Sequence, residues 1–256
     1  MKNKKIILIS VSLISIVLIS LLGVYIYKWE YRKPLLEVHF FSLNKGRSIF
    51  IRTPENETIL VGGGQNSEVI RGLTNVMSFY NRKINRIIVP SAIPTQIGGL
   101  IEVIERYEID EIIMPKIMAT STVFSELIKL IRKKKIHIEE VERGDEIKLG
   151  MDSKLNILFP YKEFKFNKTS LPELGFLLNY KNTNAYLFGN LSKTIQKDIL
   201  KNLKVNNSKN IIEFYNNANA VDIFSELINI LKPEFIFSKK EKSIHYISDG
   251  NIWKKE

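Results

Sequence analysis

The sequence predicts a mixed α/β domain behind one N-terminal transmembrane helix, and three observations predict it. Ile6 to Tyr27 is a run of 22 residues without a charge, long enough at about 1.5 Å rise per residue to cross the roughly 30 Å hydrocarbon core of a bilayer. From residue 36 to the end, short apolar runs of strand character alternate with helical ones, in an order that suits two sheets packed face to face with helices outside. No low-complexity linker and no internal repeat interrupts that stretch. It is therefore one domain, of a size that buries roughly 70% of its unfolded surface.

The N-terminal segments follow from charge. Residues 1–5 form a short basic tail with Lys2, Lys4 and Lys5, residues 6–27 the anchor, residues 28–35 a juxtamembrane linker with Lys28, Arg32 and Lys33, and residues 36–256 the domain. A cleaved signal would have an apolar region of only about 7 to 15 residues and a small-x-small cleavage site. Leu22-Gly23-Val24-Tyr25-Ile26-Tyr27 offers no good one, so an uncleaved anchor is expected, with Tyr25, Tyr27 and Trp29 at the membrane interface. The flanking bases are three against three, and Glu30 offsets one on the downstream side. That bias favours the tail inside and the domain outside, a single-pass protein of the cell membrane with an extracytoplasmic domain.

Along the domain, strands are expected at 36–43, 47–53 and 58–62, a helix at 67–80, and a strand at 85–89 built on Ile87-Ile88-Val89. A helix at 98–108, a strand at 111–114 and a helix at 122–134 come next. Strands then run through 136–141, 146–149, 154–159, 174–180 and 184–188. The chain closes with helix 191–203, strand 210–215, helix 219–231 and strands 234–238, 244–248 and 251–254. Thr53-Pro54-Glu55-Asn56 and Asp249-Gly250 are turn chemistry between strands.

Five separated segments carry a family resemblance. Residues 90–100, Pro-Ser-Ala-Ile-Pro-Thr-Gln-Ile-Gly-Gly-Leu, resemble the loop T-H-x-H-x-D-H-I-G-G-L of metallo-β-lactamase-fold hydrolases. Residues 37–51 resemble the opening V-x-F-L-D-V-G-Q-G-D-x-x-x-I of the competence-protein (ComEC-type) branch, and Thr58 to Gly64 its T-I-L-I-D-G-G. Ala185 to Asn190 stands where that branch has F-L-x-T-G-D, and Ile211 to Asn219 resembles v-L-k-v-x-H-H-G-S. The frame is kept at all five places while the functional positions are replaced. The first loop's histidines fall on Ser91, Ile93 and Gln96 and its aspartate on Thr95. Elsewhere the acidic positions fall on Ser42, Arg47, Gly62 and Asn190, and a histidine pair on Asn216 and Asn217.

The resemblance implies a four-layer αββα metallo-β-lactamase sandwich in a branch associated with DNA uptake and strand degradation, using zinc or manganese. The replacements imply that this chemistry is lost. Hydroxyl, amide and hydrocarbon side chains are poor or useless zinc donors compared with His, Asp, Glu or Cys. The vestigial pocket of Ser42, Arg47, Gly62, Ser91, Ile93, Thr95, Gln96, Asn190, Asn216 and Asn217 is expected to be polar and nearly neutral, with one fixed positive charge gained at Arg47. No catalytic residue, metal or cofactor is expected there.

Composition agrees. The chain has no cysteine, which excludes disulfides and thiolate sites. Its three histidines, His39, His137 and His245, fall in three separate predicted strands without an i, i+2 or i, i+4 partner, and read as ordinary strand residues. Gly62-Gly63-Gly64 lacks the Lys-Ser/Thr pair of a phosphate loop and reads as a turn. Ser42 and Ser91 have no evident base to make either a nucleophile. Arg132-Lys133-Lys134-Lys135 ends a helix, where cations face the negative pole of the helix dipole. The net charge is +11, of which the domain, with 32 basic and 26 acidic residues, carries +6. That permits at most weak binding of nucleic acid.

The sequence thus points to a membrane-anchored pseudoenzyme that binds or scaffolds a protein partner at the envelope. A residual hydrolase or nuclease and a nucleic-acid-binding module are the alternatives. The topology is testable: protease added to intact cells should degrade the domain, whereas degradation only after lysis would place it in the cytoplasm.

Overall fold

The computed structural model describes residues 2–30, 35–117, 121–162, 173–203, 208–214, 221–238 and 243–256. The chain divides into two compact units, Met1–Pro34 and Leu35–Glu256. The first is a helix, α1 (Lys2–Glu30). Its described side chains, residues 11–25, are all exposed. Among the described residues no helix is long and apolar enough to cross a membrane, so the transmembrane helix expected over residues 6–27 is not a feature that the described structure supplies.

The second unit contains β1 (Leu36–Phe41), β2 (Ser48–Arg52), β3 (Thr58–Val61), α2 (Glu68–Val76), β4 (Lys83–Ile88), α3 (Pro94–Arg106), β5 (Glu108–Pro115), α4 (Thr122–Lys133) and β6 (His137–Val141). There follow β7 (Glu146–Leu149), β8 (Ser153–Phe159), β9 (Gly175–Tyr180), β10 (Thr183–Leu187), α5 (Lys193–Asn202), β11 (Lys209–Phe214), α6 (Val221–Leu231), β12 (Phe235–Ser238), β13 (Ile244–Ser248) and β14 (Trp253–Lys255). An eight-stranded sheet has the order β14-β13-β1-β2-β3-β4-β5-β6 and a six-stranded sheet the order β12-β11-β10-β9-β8-β7. In the larger sheet β3 to β6 are parallel, joined through α2, α3 and α4, because parallel neighbours need a crossover.

Strand periodicity assigns the faces. On β1, Leu36, Val38 and Phe40 point into the layer between the sheets, where they meet Leu155, Ile157, Leu178 and Ala185 of the other sheet. The outer face of the large sheet buries Phe50, Leu60, Ile87 and Ile112 against Val69 and Leu73 of α2, Leu100 and Val103 of α3, and Leu127 of α4. The outer face of the small sheet packs Tyr186 and Ile212 against Ile199 of α5 and Leu227 of α6. Helices therefore flank both sheets, and β3, covered on both faces, is buried at every position. Strict alternation would put Phe159 beside Leu155 and Ile157. A register shift between Ile157 and Phe159 turns it to the helix side instead.

Polar groups inside the small sheet are satisfied in series. Asn179 Nδ2 donates to Asn184 Oδ1 at 2.7 Å, Asn184 Nδ2 to Asn210 Oδ1 at 3.1 Å, and Asn210 Nδ2 to the Leu231 carbonyl at 2.6 Å. The relay ties β9, β10 and β11 to the end of α6.

Most expected elements appear within two or three residues of their predicted ends. α3 starts at Pro94 rather than residue 98, with Ile93 extended before it, because proline fits the first turn, where its missing N–H has no partner to lose. α2 stops at Val76 rather than residue 80, since Met77 is extended while its N–H still closes on the Leu73 carbonyl.

The Gly98-Gly99 pair of α3 has a packing role. A Cβ on Gly98 would collide with the Gln65 carbonyl and one on Gly99 with the carbonyls of Gly63 and Asn66. The Gly99 N–H donates to the Gly64 carbonyl at 3.1 Å. In an exposed helix interior, glycine to alanine stabilises by about 1 kcal/mol. Here Gly99→Ala should destabilise by about 1–3 kcal/mol, the range for forcing extra volume into a packed site. Chemical denaturation reads the sign directly, and a stabilised variant would show that α3 does not press on the 62–66 loop.

Candidate functional site

Four segments of the second unit meet at the end of the sheets where β3 and β4 finish. The turn between β1 and β2 contributes Gly46, at φ +83°, whose position a Cβ would drive into the Thr95 carbonyl, so only glycine lets the turn lie against the loop before α3. The Gly62-Gly63-Gly64 turn is sewn to its neighbours by backbone bonds: Gly62 N–H to Ile88 at 2.9 Å, Gly63 to Gln96 at 2.8 Å and Gly64 to Arg47 at 3.1 Å. The 90–96 loop is bound to the start of β9, where the Leu174 N–H donates to the Pro90 carbonyl at 2.7 Å. The Gly189-Asn190 turn follows β10, and a Cβ on Gly189 would collide with Arg47 Nη2 and Glu173 Oε2.

At the junction lies a buried ion triad. Arg47 Nε donates to Glu173 Oε2 at 2.9 Å and Arg47 Nη1 to Glu213 Oε2 at 2.7 Å. The side chains are 5%, 0% and 1% exposed, so the pairing takes place away from water. Glu213 Oε2 also accepts from the Gly189 N–H at 3.1 Å. Burial by itself would lower the Arg47 pKa, but the charges and hydrogen bonds of Glu213 and Glu173 outweigh it and the guanidinium is held charged. Burial raises the Glu173 carboxyl above its ordinary 4.5, Arg47 opposes this and Glu213 adds to it. Two carboxyls share one cation, so a proton on Glu173 is what would bring the junction to neutrality.

The structure sorts the residues expected at the pocket. Arg47, Gly62, Thr95, Gln96 and Asn190 gather at this junction, the last through its backbone N–H to Glu173. Ser91 is buried beside them and its hydroxyl accepts from the Ile93 N–H at 3.2 Å, a local turn. Ile93, half-buried, stands before the first turn of α3. Ser42 is exposed after β1, its N–H donating to Ser243 Oγ at 2.9 Å. Asn216 and Asn217 lie outside the described residues.

One expectation is corrected. Arg47 does not leave the pocket with an added fixed positive charge, because two carboxylates absent from the sequence reading neutralise it. The signal for Glu213 was present: it is a single carboxylate in the apolar strand run Ile211-Ile212-Glu213-Phe214, and such a residue must find a partner inside. Glu173, next to Pro172, carries no comparable signal.

These residues do not fit zinc or manganese. The positions that the resemblance assigns to ligands offer hydroxyls, a hydrocarbon and amides, which are poor or useless donors to these ions, and the two carboxyls at the junction are already engaged by Arg47. Three buried polar atoms there, Arg47 Nη2, Glu173 Oε1 and Gln96 Oε1, have no hydrogen-bond partner among the described residues. A separate cleft of about 140 Å³ between the end of α2 and α3, lined by Met77, Phe79, Arg82 and Tyr107, shares no residue with the junction.

No protein-family model matches the sequence and no curated protein matches it. Solved structures do match. The metallo-β-lactamase-fold protein YhfI from Bacillus subtilis is 8% identical, with a TM-score of 0.53 over 84% of this chain and 100% of its own. A mutant of the CmlA β-hydroxylase is 12% identical, with a TM-score of 0.50 over 79% of this chain. The chain spans 45% of that hydroxylase's length. The likeness shows the fold: the Leu35–Glu256 unit has the metallo-β-lactamase fold.

The triad predicts a pH-dependent response. Because the folded pKa of Glu173 is raised, its contribution to stability is complete below about 4.5 and is lost as pH rises through the folded value. Glu173→Gln should therefore gain stability relative to the native protein between pH 5 and pH 8. Arg47→Met, which strands two buried carboxyls, should lose about 3–5 kcal/mol at neutral pH and recover part of it at pH 5. Urea unfolding at the two pH values measures both, and an Arg47→Met loss equal at the two would contradict the charge assignment.

Proposed function

We propose that this chain is a membrane-anchored metallo-β-lactamase-fold pseudoenzyme of the competence-protein type, a binding or scaffolding domain at the cell envelope that works without metal in the old pocket. The observation that carries the reading is the Arg47–Glu173–Glu213 triad. In the metal-dependent chemistry of this fold, cations held by imidazole and carboxylate ligands activate water and clamp the attacked group. Here a covalently tethered cation sits at the junction and is paired with two carboxyls, one of them hydrogen-bonded also to the Gly189 N–H. A guanidinium has no coordination site for water and its pKa is too high to act as a base. The arrangement can brace two sheets and accept a hydrogen-bonding group.

Anchoring is supported by the uncharged run Ile6 to Tyr27 and by the way α1 treats its hydroxyls. Ser15 Oγ donates to the Ser12 carbonyl and Ser20 Oγ to the Val17 carbonyl, each at 2.8 Å, which leaves them satisfied in a medium without water. Against a polynucleotide-binding role, Arg132 and Lys133 occupy the last turn of α4, where they complement that helix's negative end.

The test is hydrolysis by the full-length chain in detergent micelles, supplied with Zn2+ or Mn2+ and offered single-stranded DNA, a phosphodiester and a β-lactam. No turnover above that of buffer, with or without chelator, is expected. Hydrolysis that chelation removes and Arg47→Met or Glu213→Gln alters would overturn the reading.

A further inference from the structure

A different cluster lies on the outer face of the large sheet, across β1 and β13. β1 and β13 are antiparallel, with His39 directly opposite His245. Glu37, two residues before His39, lies on the same outward face, opposite to Leu36, Val38 and Phe40. The His39 Nε2 is 3.2 Å from Glu37 Oε2, and the two imidazoles stack with centroids 3.8 Å apart and planes 11° from parallel. The side chains of Glu37, His39 and His245 are 25%, 13% and 25% exposed, within reach of a dissolved ion. One donor atom from each lies within 4.8 Å of the others, and among the described residues this is the one group of three His, Cys, Asp or Glu side chains so placed.

The far side of His245 adds a second observation. Its Nδ1 is 3.4 Å from the carboxylate of Glu256, which favours the ring proton on Nδ1 and leaves the lone pair on Nε2. That Nε2 is buried and has no hydrogen-bond partner among the described residues. A carboxylate behind one ring nitrogen and a free lone pair on the other is the arrangement that orients histidine ligands in metal sites. We propose that Glu37, His39 and His245 form a three-ligand site for a divalent transition-metal ion of the zinc class, distinct from the vestigial pocket. Two imidazoles and one carboxylate are a sufficient donor set for zinc, and they leave a coordination position open to water or to a partner's side chain. Parallel rings hold their lone pairs in parallel planes, so capture turns one ring about its Cβ–Cγ bond, the ion taking the place of the proton shared by His39 and Glu37. The bound ion would pin β1 to β13, joining the start of the domain to its last hairpin.

One neighbour works against binding. Arg52 Nη1 is 2.6 Å from Glu37 Oε2, and its charge repels a second cation and weakens affinity in the native protein. This gives the test its discriminating arm. The full-length chain in detergent micelles, stripped of metal by chelator and dialysed, is titrated with Zn2+ in competition with a chromophoric chelator, and separately with Co2+ followed by visible absorption. One equivalent is expected, weakened at least about tenfold by His39→Gln or His245→Gln, in line with the cost of losing groups around metal sites, and tightened by Arg52→Gln. Circular dichroism of each variant reports folding. If a histidine variant unfolds, Arg52→Gln decides: tighter binding sustains the site, and unchanged or weaker binding overturns it. No stoichiometric binding by the native chain, or full binding by a folded His39→Gln His245→Gln double variant, also overturns it.

Discussion

The contact on which the second unit depends is the pairing of Arg47 with Glu173 and Glu213. Arg47 ends the turn that enters β2 of the large sheet, Glu173 precedes β9 and Glu213 lies within β11 of the small one. Two sheets joined only by apolar side chains could slide, because the hydrophobic effect is non-directional. A planar guanidinium that must meet two carboxyls from the opposite sheet admits few relative positions. Desolvating three charged groups is costly, and such a cluster is weak evidence for net stability. Its effect is to fix how the sheets close and which loops stand beside the junction.

The glycines follow from the same closure. Gly46, Gly62, Gly63 and Gly64 bring the β1–β2 turn, the end of β3 and the loop before α3 within backbone hydrogen-bonding distance, and Gly98 and Gly99 let α3 press onto them. Several of these positions would put a Cβ into a neighbour's backbone. Packing of this kind holds the frame of the loops whatever side chains project from them. The glycines are held by packing that the fold itself needs.

The outer face of the large sheet shows a different way of placing charge. Glu37, His39, Arg52, His245 and Glu256 form a partly exposed network across β1, β2 and the last hairpin. Its ionisable side chains are partly exposed. In the Arg47 junction the charged groups are sealed from water and paired with one another. The fold thus carries one locked polar cluster and one accessible one, at sites that share no residue.

The sequence by itself determined the order and type of nearly every element, because apolar periodicity and turn chemistry are local: Ile87-Ile88-Val89 announces a strand and Asp249-Gly250 a turn without knowledge of any neighbour. It also determined the fold, through five short segments whose spacing matches one frame, and it singled out Arg47, Gly62, Thr95, Gln96 and Asn190, which the structure gathers. Only the tertiary structure decided what Arg47 faces, since Glu173 and Glu213 are 126 and 166 residues away in the chain and strand order across two sheets is set by non-local pairing. It likewise decided that His39 and His245, which read as isolated strand residues, stand opposite each other. A histidine pair at i, i+4 on a helix is visible in a sequence, whereas a cross-strand pair exists only once the sheet's register has been fixed by burial of the alternate face.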